Sequence, residues 1–340
     1  MRMQAVVSIA AVLFGVVAAA VAEDPDIPRT PGGRPDLSGT YDIANLTPFE
    51  RDPKYGDERM MPPEEAAAIV EQMATFRDVA ARDSDPDRDA PPQGGDGSTG
   101  ASGKVGGYNF FWIDMGETIH PIDGEYRASV LYDPPNGRLP PLSEAGKERR
   151  KDHNPYSIEN TGDADWLETG DDPYDGPESL STADRCLYVG VATVPAMSVP
   201  YNNLKKIVQT DTHVAILVEW MHWMRVIRLN AEHHPPEVRS LSGDSIGWWE
   251  GDTLVVDTTN FIDLPGPPRE KLHVVERFTP KGPDALLYEF TVNDSDYTAP
   301  YSGEYIWPKT PHRLYEYACH EGNYALGNIL RGARLLEREA

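Results

Sequence analysis

Cysteine is almost missing from this 340-residue chain, which has only Cys186 and Cys319. That leaves no cysteine-rich zinc site and no disulfide-dense scaffold. The pair reads as one long-range disulfide in an oxidising compartment, or more plainly as two buried thiols. Basic charge is also scarce: 31 Lys and Arg stand against 55 Asp and Glu, a formal net charge of −24. So acidic a chain repels phosphate backbones and anionic bilayers, and nucleic acid is not an expected partner. No Walker motif or HExxH is present; GxGxxG occurs once, at residues 95–100, and GxSxG once, at residues 243–247 around Ser245. The first lies in a stretch rich in Asp, Pro, Gly and Ser rather than after a strand, and Ser245 sits at a strand start without the strand–turn–helix context of an elbow, so no phosphate loop, dinucleotide fold, serine elbow or zincin helix is expected. No unit recurs with the period of a propeller or solenoid. Neither a cofactor nor a metal is expected.

Long apolar runs are confined to the start. Arg2, the apolar stretch Ala5–Ala19 and Ala20-Val21-Ala22 form a secretory signal over residues 1–22, with no cysteine at the cleavage point to carry a lipid. No later segment reaches the roughly 20 apolar residues of a membrane span. A periplasmic or secreted protein is the expectation.

Proline and glycine are plentiful, 31 and 29 residues, so turns are many. Residues 23–107 read as an irregular and helical N-terminal region. It comprises a Pro-rich tail over 23–36, a strand in "RPDLSGTYDI" and an amphipathic helix from Pro63. In that helix Ala67, Ile69, Val70, Met73, Phe76 and Val79 recur at helical spacing. Residues 83–107, rich in Asp, Pro, Gly and Ser, read as a mobile loop or lid. Residues 108–340 read as a β-rich domain packed with the first region as one unit, with a short helix near 143–152 and a closing helix over 323–338.

"YNFFWIDMG" and "YRASVLYDPPNGRLPPL" look strand-like. Nine further strands are expected at 204–210, 213–219, 224–230, 245–249, 252–258, 271–279, 285–293, 302–307 and 313–319. Tight joints such as Glu250-Gly251-Asp252 separate them. With no crossover helices, the fold class is mainly β: an antiparallel up-and-down barrel of lipocalin-like form, or a sandwich, with peripheral helices.

The motifs "RPDLSG", "YNxFWxD", "DPPNGRLPPL", "GDSIGWWEGDTLVVDTTNF" and "YEYACHEGNY" span most of the chain beyond residue 22. In these the chain resembles a large group of uncharacterised secreted bacterial proteins. The resemblance implies a shared fold and supplies no activity.

Two segments carry candidate chemistry. In "EWMHWMRVIRLN", Glu219 can orient His222 as a base, and Arg225 can clamp an anion. The plainer reading is a decorated turn with a Glu219–Arg225 ion pair. In "ACHEGNY", His320 and Glu321 supply a second acid–base pair beside Asn323, or Asn323 merely caps a helix that Glu321 complements. Tyr108, Asn109, Trp112, Trp223 and Trp249 are candidate ligand-binding residues, with core packing as the alternative. Glu276 shares the apolar face of "LHVVERF" and is either a general acid or the partner of a buried arginine. Asp163, Asp165, Glu168, Asp171, Asp172 and Asp175 do not match the calcium-loop pattern and read as a solvated acidic loop. His233-His234, followed by two prolines, reads as a loop.

The leading functional expectation is a periplasmic enzyme acting on a small apolar or aromatic molecule by metal-free acid–base chemistry, as a lyase, isomerase or hydrolase. The alternatives are a non-catalytic binding protein for a hydrophobic or carbohydrate ligand, and a structural envelope protein. What separates them is whether histidines and acids from distant segments converge on one cavity.

Overall fold

The structure, a computed structural model, describes residues 27–80, 113–152, 164, 166–169, 174–262 and 272–340. Its strands are β1 Gly39–Asp42, β2 Leu131–Asp133, β3 Leu204–Gln209, β4 His213–Val218 and β5 Met224–Leu229. They continue with β6 Asp244–Glu250, β7 Thr253–Thr259, β8 His273–Pro280, β9 Ala285–Asn293 and β10 Tyr301–Pro308. The helices are α1 Pro63–Ala80, α2 Glu144–Asp152, α3 Trp166–Thr169, α4 Cys319–Gly322 and α5 Tyr324–Glu339. Among the described residues, no helix is long and apolar enough to cross a membrane.

All ten strands belong to one sheet in the order β1-β3-β4-β5-β6-β7-β8-β9-β10-β2, curled into a half-barrel. The curl brings the ends together at one point: Tyr41 bridges Lys309, and the Thr310 N–H donates to the Thr40 carbonyl. The inward faces follow from strict alternation in sequence. Val274, Glu276 and Phe278 of β8 and Leu286, Tyr288, Phe290 and Val292 of β9 are all buried, while their neighbours are not. Aromatic rings fill much of the interior. Tyr288 and Trp307 lie 4.5 Å apart between centroids, and Phe278 and Tyr305 meet Tyr288 at 5.1 and 5.5 Å.

The sheet is mixed, which corrects the expectation of a purely antiparallel meander: β5 and β6 run parallel. The cause is the long connection 230–243, which carries the chain back to the far end before β6 begins. A parallel neighbour needs such a crossover and a tight turn cannot supply one. The strand expected at 313–319 is not a strand, because its N–H groups meet side chains rather than a neighbouring ladder, and α4 begins at Cys319. The described part of "YNFFWIDMG", residues 113–116, is not a strand either. The expected tail is ordered from Ile27. Residues 28–36 form a turn in which Asp36 N–H donates to Pro28 O, and Arg29 pins the turn to Asp252 at 2.9 Å.

Helix α1 opens on Pro63 with Glu64 and Glu65 in its first turn, where acids complement the dipole. Its packed face is Ala66, Ile69, Val70 and Met73, set against Leu46, Met61, Ile119 and Tyr126 in a core separate from the half-barrel interior. Phe76, expected on that face, is 39 % exposed. Asn323 caps α5 by accepting from the Leu326 N–H. Cys186 and Cys319 form a disulfide across 133 positions of sequence. It ties the C-terminal segment to residues 186–203, which cover one end of the half-barrel.

Candidate functional site

The β4–β5 connection folds into a short 3-10 turn over Trp220–His222, with Met221 and His222 at φ of 61° and 50°. Two consecutive left-handed residues that are not glycine cost backbone energy and lock the turn's shape. This places Glu219 and His222 against the C-terminal segment. The His222 Nε2 accepts from the Tyr317 N–H at 2.6 Å. Accepting there requires the ring proton on Nδ1. Glu219, 8 % exposed, accepts from the backbone N–H groups of Leu204 and Tyr315 and from the Asn202 side chain. Burial nevertheless wins and holds its carboxyl above the usual range. Both groups thus meet the C-terminal segment, as acceptors that hold extended backbone in place.

Arg225 parts from them. Alternation turns it to the interior, where its Nε donates to Ser245 Oγ at 3.0 Å and its Nη2 to Thr258 Oγ1 at 2.7 Å and Glu276 Oε2 at 2.5 Å. The Tyr288 hydroxyl donates to Glu276 Oε1 at 2.7 Å and accepts from the Ala196 N–H at 2.9 Å. Glu276 is therefore the partner of a buried arginine, with side-chain exposures of 2 % and 0 % for the pair. Burial and the adjacent Glu276 charge push the Tyr288 hydroxyl well above its ordinary range. The covering segment is stitched to this network through Ala196, which also accepts from the Tyr305 hydroxyl.

His320 and Glu321 face solvent on α4. The Asn323 side chain donates to the Asp184 carbonyl and to Cys186 Sγ, so it fastens the disulfide junction as well as capping α5. Trp223 is partly buried with its ring on Tyr188 at 4.8 Å, and Trp249 packs against the interior cluster. Tyr108, Asn109 and Trp112 lie outside the described residues, as does the segment 83–107. Of the acidic loop, Glu168 and Asp175 are described and exposed, while Asp163, Asp165, Asp171 and Asp172 lie outside.

A cleft of about 320 Å³ opens between the 45–49 loop, α1 and residues 197–200 of the cover. Phe49, Ile69, Met73, Met115 and Met197 wall it, and Tyr305 joins it to the half-barrel interior. Its polar lining is Asn45, Thr47, Ser198 and the Tyr305 phenol, and among the described residues no carboxylate, imidazole or amine side chain lines it. Burial raises the Tyr305 hydroxyl far above its ordinary range, so it neither gives nor takes a proton readily. A larger depression of about 530 Å³ lies over Lys54 and Glu65, whose ion pair is open to solvent.

No protein-family model, curated protein or solved structure matches this chain.

One cluster was not legible as such in the sequence. On the outer face of β5–β8, the side chains run His234–Asp244–His233–Asp257–His273. His233 Nδ1 and Nε2 lie 2.9 and 2.8 Å from Asp244 and Asp257, and His273 Nε2 lies 2.6 Å from Asp257. His234 Nδ1 and Arg228 Nη2 both reach Asp244 at 2.9 Å. Both ring nitrogens of His233 thus lie within hydrogen-bond reach of a carboxylate oxygen, so the imidazole bridges the two aspartates. Burial alone would raise the Asp244 carboxyl. The His234 backbone and ring, His233 and Arg228 overcome it and hold the group far below the usual carboxylate range. Among the described residues no group of three or more His, Cys, Asp or Glu is placed to hold a metal ion. The signal in sequence was faint: two adjacent histidines in a loop and aspartates on separate strands, joined only by strand register.

Proposed function

We propose that the protein binds a small apolar or aromatic molecule in the cleft between α1, the 45–49 loop and residues 197–200, as a secreted or periplasmic binding protein. The observation that carries this reading is the cleft's wall: among the described residues it presents thioethers and an aromatic ring with a few neutral polar groups and no acid or base. Its volume of about 320 Å³ suits a one- or two-ring molecule. Methionine side chains adapt to varied ligand shapes and favour aromatic rings. An acid–base enzyme needs a titratable group within reach of its substrate. His222 and Glu219 instead serve the backbone of Tyr317 and Tyr315. The signal-like residues 1–22 and the disulfide accord with an oxidising compartment.

The test uses N-phenyl-1-naphthylamine, a neutral fluorescent probe, with the wild type and Met115→Trp. Met115 is 42 % exposed at the cleft, so the larger ring fills the space without entering a packed core. Saturable enhancement in the wild type, weakened at least ~10-fold in the variant with an unchanged circular dichroism spectrum, is the expected result. Equal probe affinity in both proteins removes the cleft as the site.

A further inference from the structure

Four buried hydrogen-bond donors at one end of the half-barrel have no acceptor among the described residues: Lys205 Nζ, Trp220 Nε1, Trp223 Nε1 and Arg225 Nη1. Strand register gathers them. Lys205 stands opposite Val218, and the Val218 N–H donates to the Trp223 carbonyl. Val218 packs with Val199, Trp220 and Trp223, and Arg225 follows two residues later on the same face, opposite Ile216. Residues 188–199 of the cover close over the group, with Tyr188 on the Trp223 ring and its hydroxyl within electrostatic range of Arg225.

Buried polar groups in folded proteins are almost always satisfied, and four unsatisfied donors in one place call for a shared acceptor. The nearby carboxylates have other partners, Asp42 accepting from the Ala44 N–H, and none of them takes these four donors. Glu276 takes Arg225 Nη2 and the Tyr288 hydroxyl, and Glu219 takes the Leu204 and Tyr315 N–H groups and Asn202. Two of the four donors are basic side chains, at 0 % and 2 % exposure for Lys205 and Arg225, and an anion beside Lys205 favours the charged ammonium that burial disfavours. The missing partner is therefore an oxygen acceptor carrying negative charge. Glu219 and Asp42 lie within electrostatic range of Lys205, so an anion of low charge suits the site best.

We infer that the covered end of the half-barrel, between β3–β5 and residues 188–199, is a binding site for a small monocarboxylate received by Lys205, Arg225, Trp220 and Trp223. Tyr188 against Trp223 and Tyr201 against Trp220, each at 4.8 Å, supply the site's apolar flanks. This site does not depend on the apolar cleft. Val199 separates the two, lining the cleft while packing on Trp220 and Trp223.

The test follows tryptophan emission and thermal stability with benzoate and with benzamide, its uncharged counterpart. Benzoate should shift the emission saturably and raise the melting temperature, with benzamide at least ~10-fold weaker. Lys205→Met keeps the length of the side chain and removes the orphaned donor. It should melt higher than the wild type without benzoate and lose at least ~10-fold in benzoate affinity. Arg225→Lys, which keeps the charge, should weaken benzoate without abolishing it. Met115→Trp, which fills the apolar cleft, should leave the benzoate response unchanged. A response to benzamide equal to that for benzoate overturns the inference. So does a benzoate response lost in Met115→Trp but kept in Lys205→Met, which assigns the ligand to the cleft. No response to either compound, with Lys205→Met still melting higher, means that solvent alone satisfies the donors, and also overturns it.

Discussion

Arg225 and Arg228 lie three residues apart on β5 and face opposite ways. Arg225 enters the interior and binds Glu276, with side-chain exposures of 2 % and 0 %. Arg228 stays on the outer face and binds Asp244, with exposures of 26 % and 11 %. Each is a guanidinium with one carboxylate, yet the surroundings assign different work. The inner pair is held by two hydroxyls and a phenol, and it ties β5, β6, β7, β8 and β9 to the cover through Tyr288 and Ala196. The outer pair belongs to a chain of imidazoles and carboxylates open to salt and protons. An ion pair sealed from water is a structural commitment, whereas one at the surface can respond to the medium.

The comparison breaks most visibly inside. Glu276→Leu leaves Arg225 buried without its counter-charge and should cost about 3–5 kcal/mol in denaturant unfolding. Replacing both residues, as in Arg225→Met with Glu276→Leu, should recover much of that loss. A double variant no more stable than the single one would show that the network's shape matters more than its charge.

A second effect comes from Lys205, whose ammonium burial pushes down to about 7 against the opposing pull of Glu219 and Asp42. Between that value and the ordinary lysine range, the unfolded chain binds a proton that the folded chain does not. Stability from this group therefore rises as pH is raised from about 7 towards 10, on the order of a few kcal/mol at most. Lys205→Met should flatten that rise in unfolding curves taken across the window.

Outside, the effects are smaller. The Asp244 carboxyl is depressed in the folded protein, so its contribution is fully present above the unfolded carboxylate range and fades as acid protonates it in the fold. Asp244→Asn should cost about 1–2 kcal/mol at neutral pH, and less in high salt. By contrast, the Glu276→Leu penalty should hardly change with salt.

The smallest effect is local. His222→Ala removes the acceptor for the Tyr317 N–H at an exposed position and should cost about 0.5–1 kcal/mol. Amide exchange should accelerate at Tyr317 while the β8 and β9 amides keep their protection. Slow exchange at Tyr317 in the variant would show that the disulfide alone holds the segment.

Much of the architecture was legible in the chain. The β8 and β9 patterns alternate so regularly that their inward residues, Glu276 among them, could be named with no coordinates. Asn323 and the Pro63 helix start were readable because capping depends on a few adjacent residues. The parallel step from β5 to β6 was not readable, because the 230–243 connection has no helical period to announce a crossover. The candidate acid–base residues could be chosen by type but not by direction. In "EWMHWMR" the turn's left-handed backbone at Met221 and His222 decides where the imidazole points.

The sequence by itself determined most of the strands, the inward phase of β8 and the presence of a single cysteine pair, since all three rest on composition and on neighbours two to four residues apart. Only the tertiary structure decided which carboxylate Arg225 meets, which histidines join Asp244 and Asp257, and which methionines share a cleft. Those pairings depend on register between strands and on crossings between distant segments. A one-residue slip of register turns every side chain on a strand to the other face.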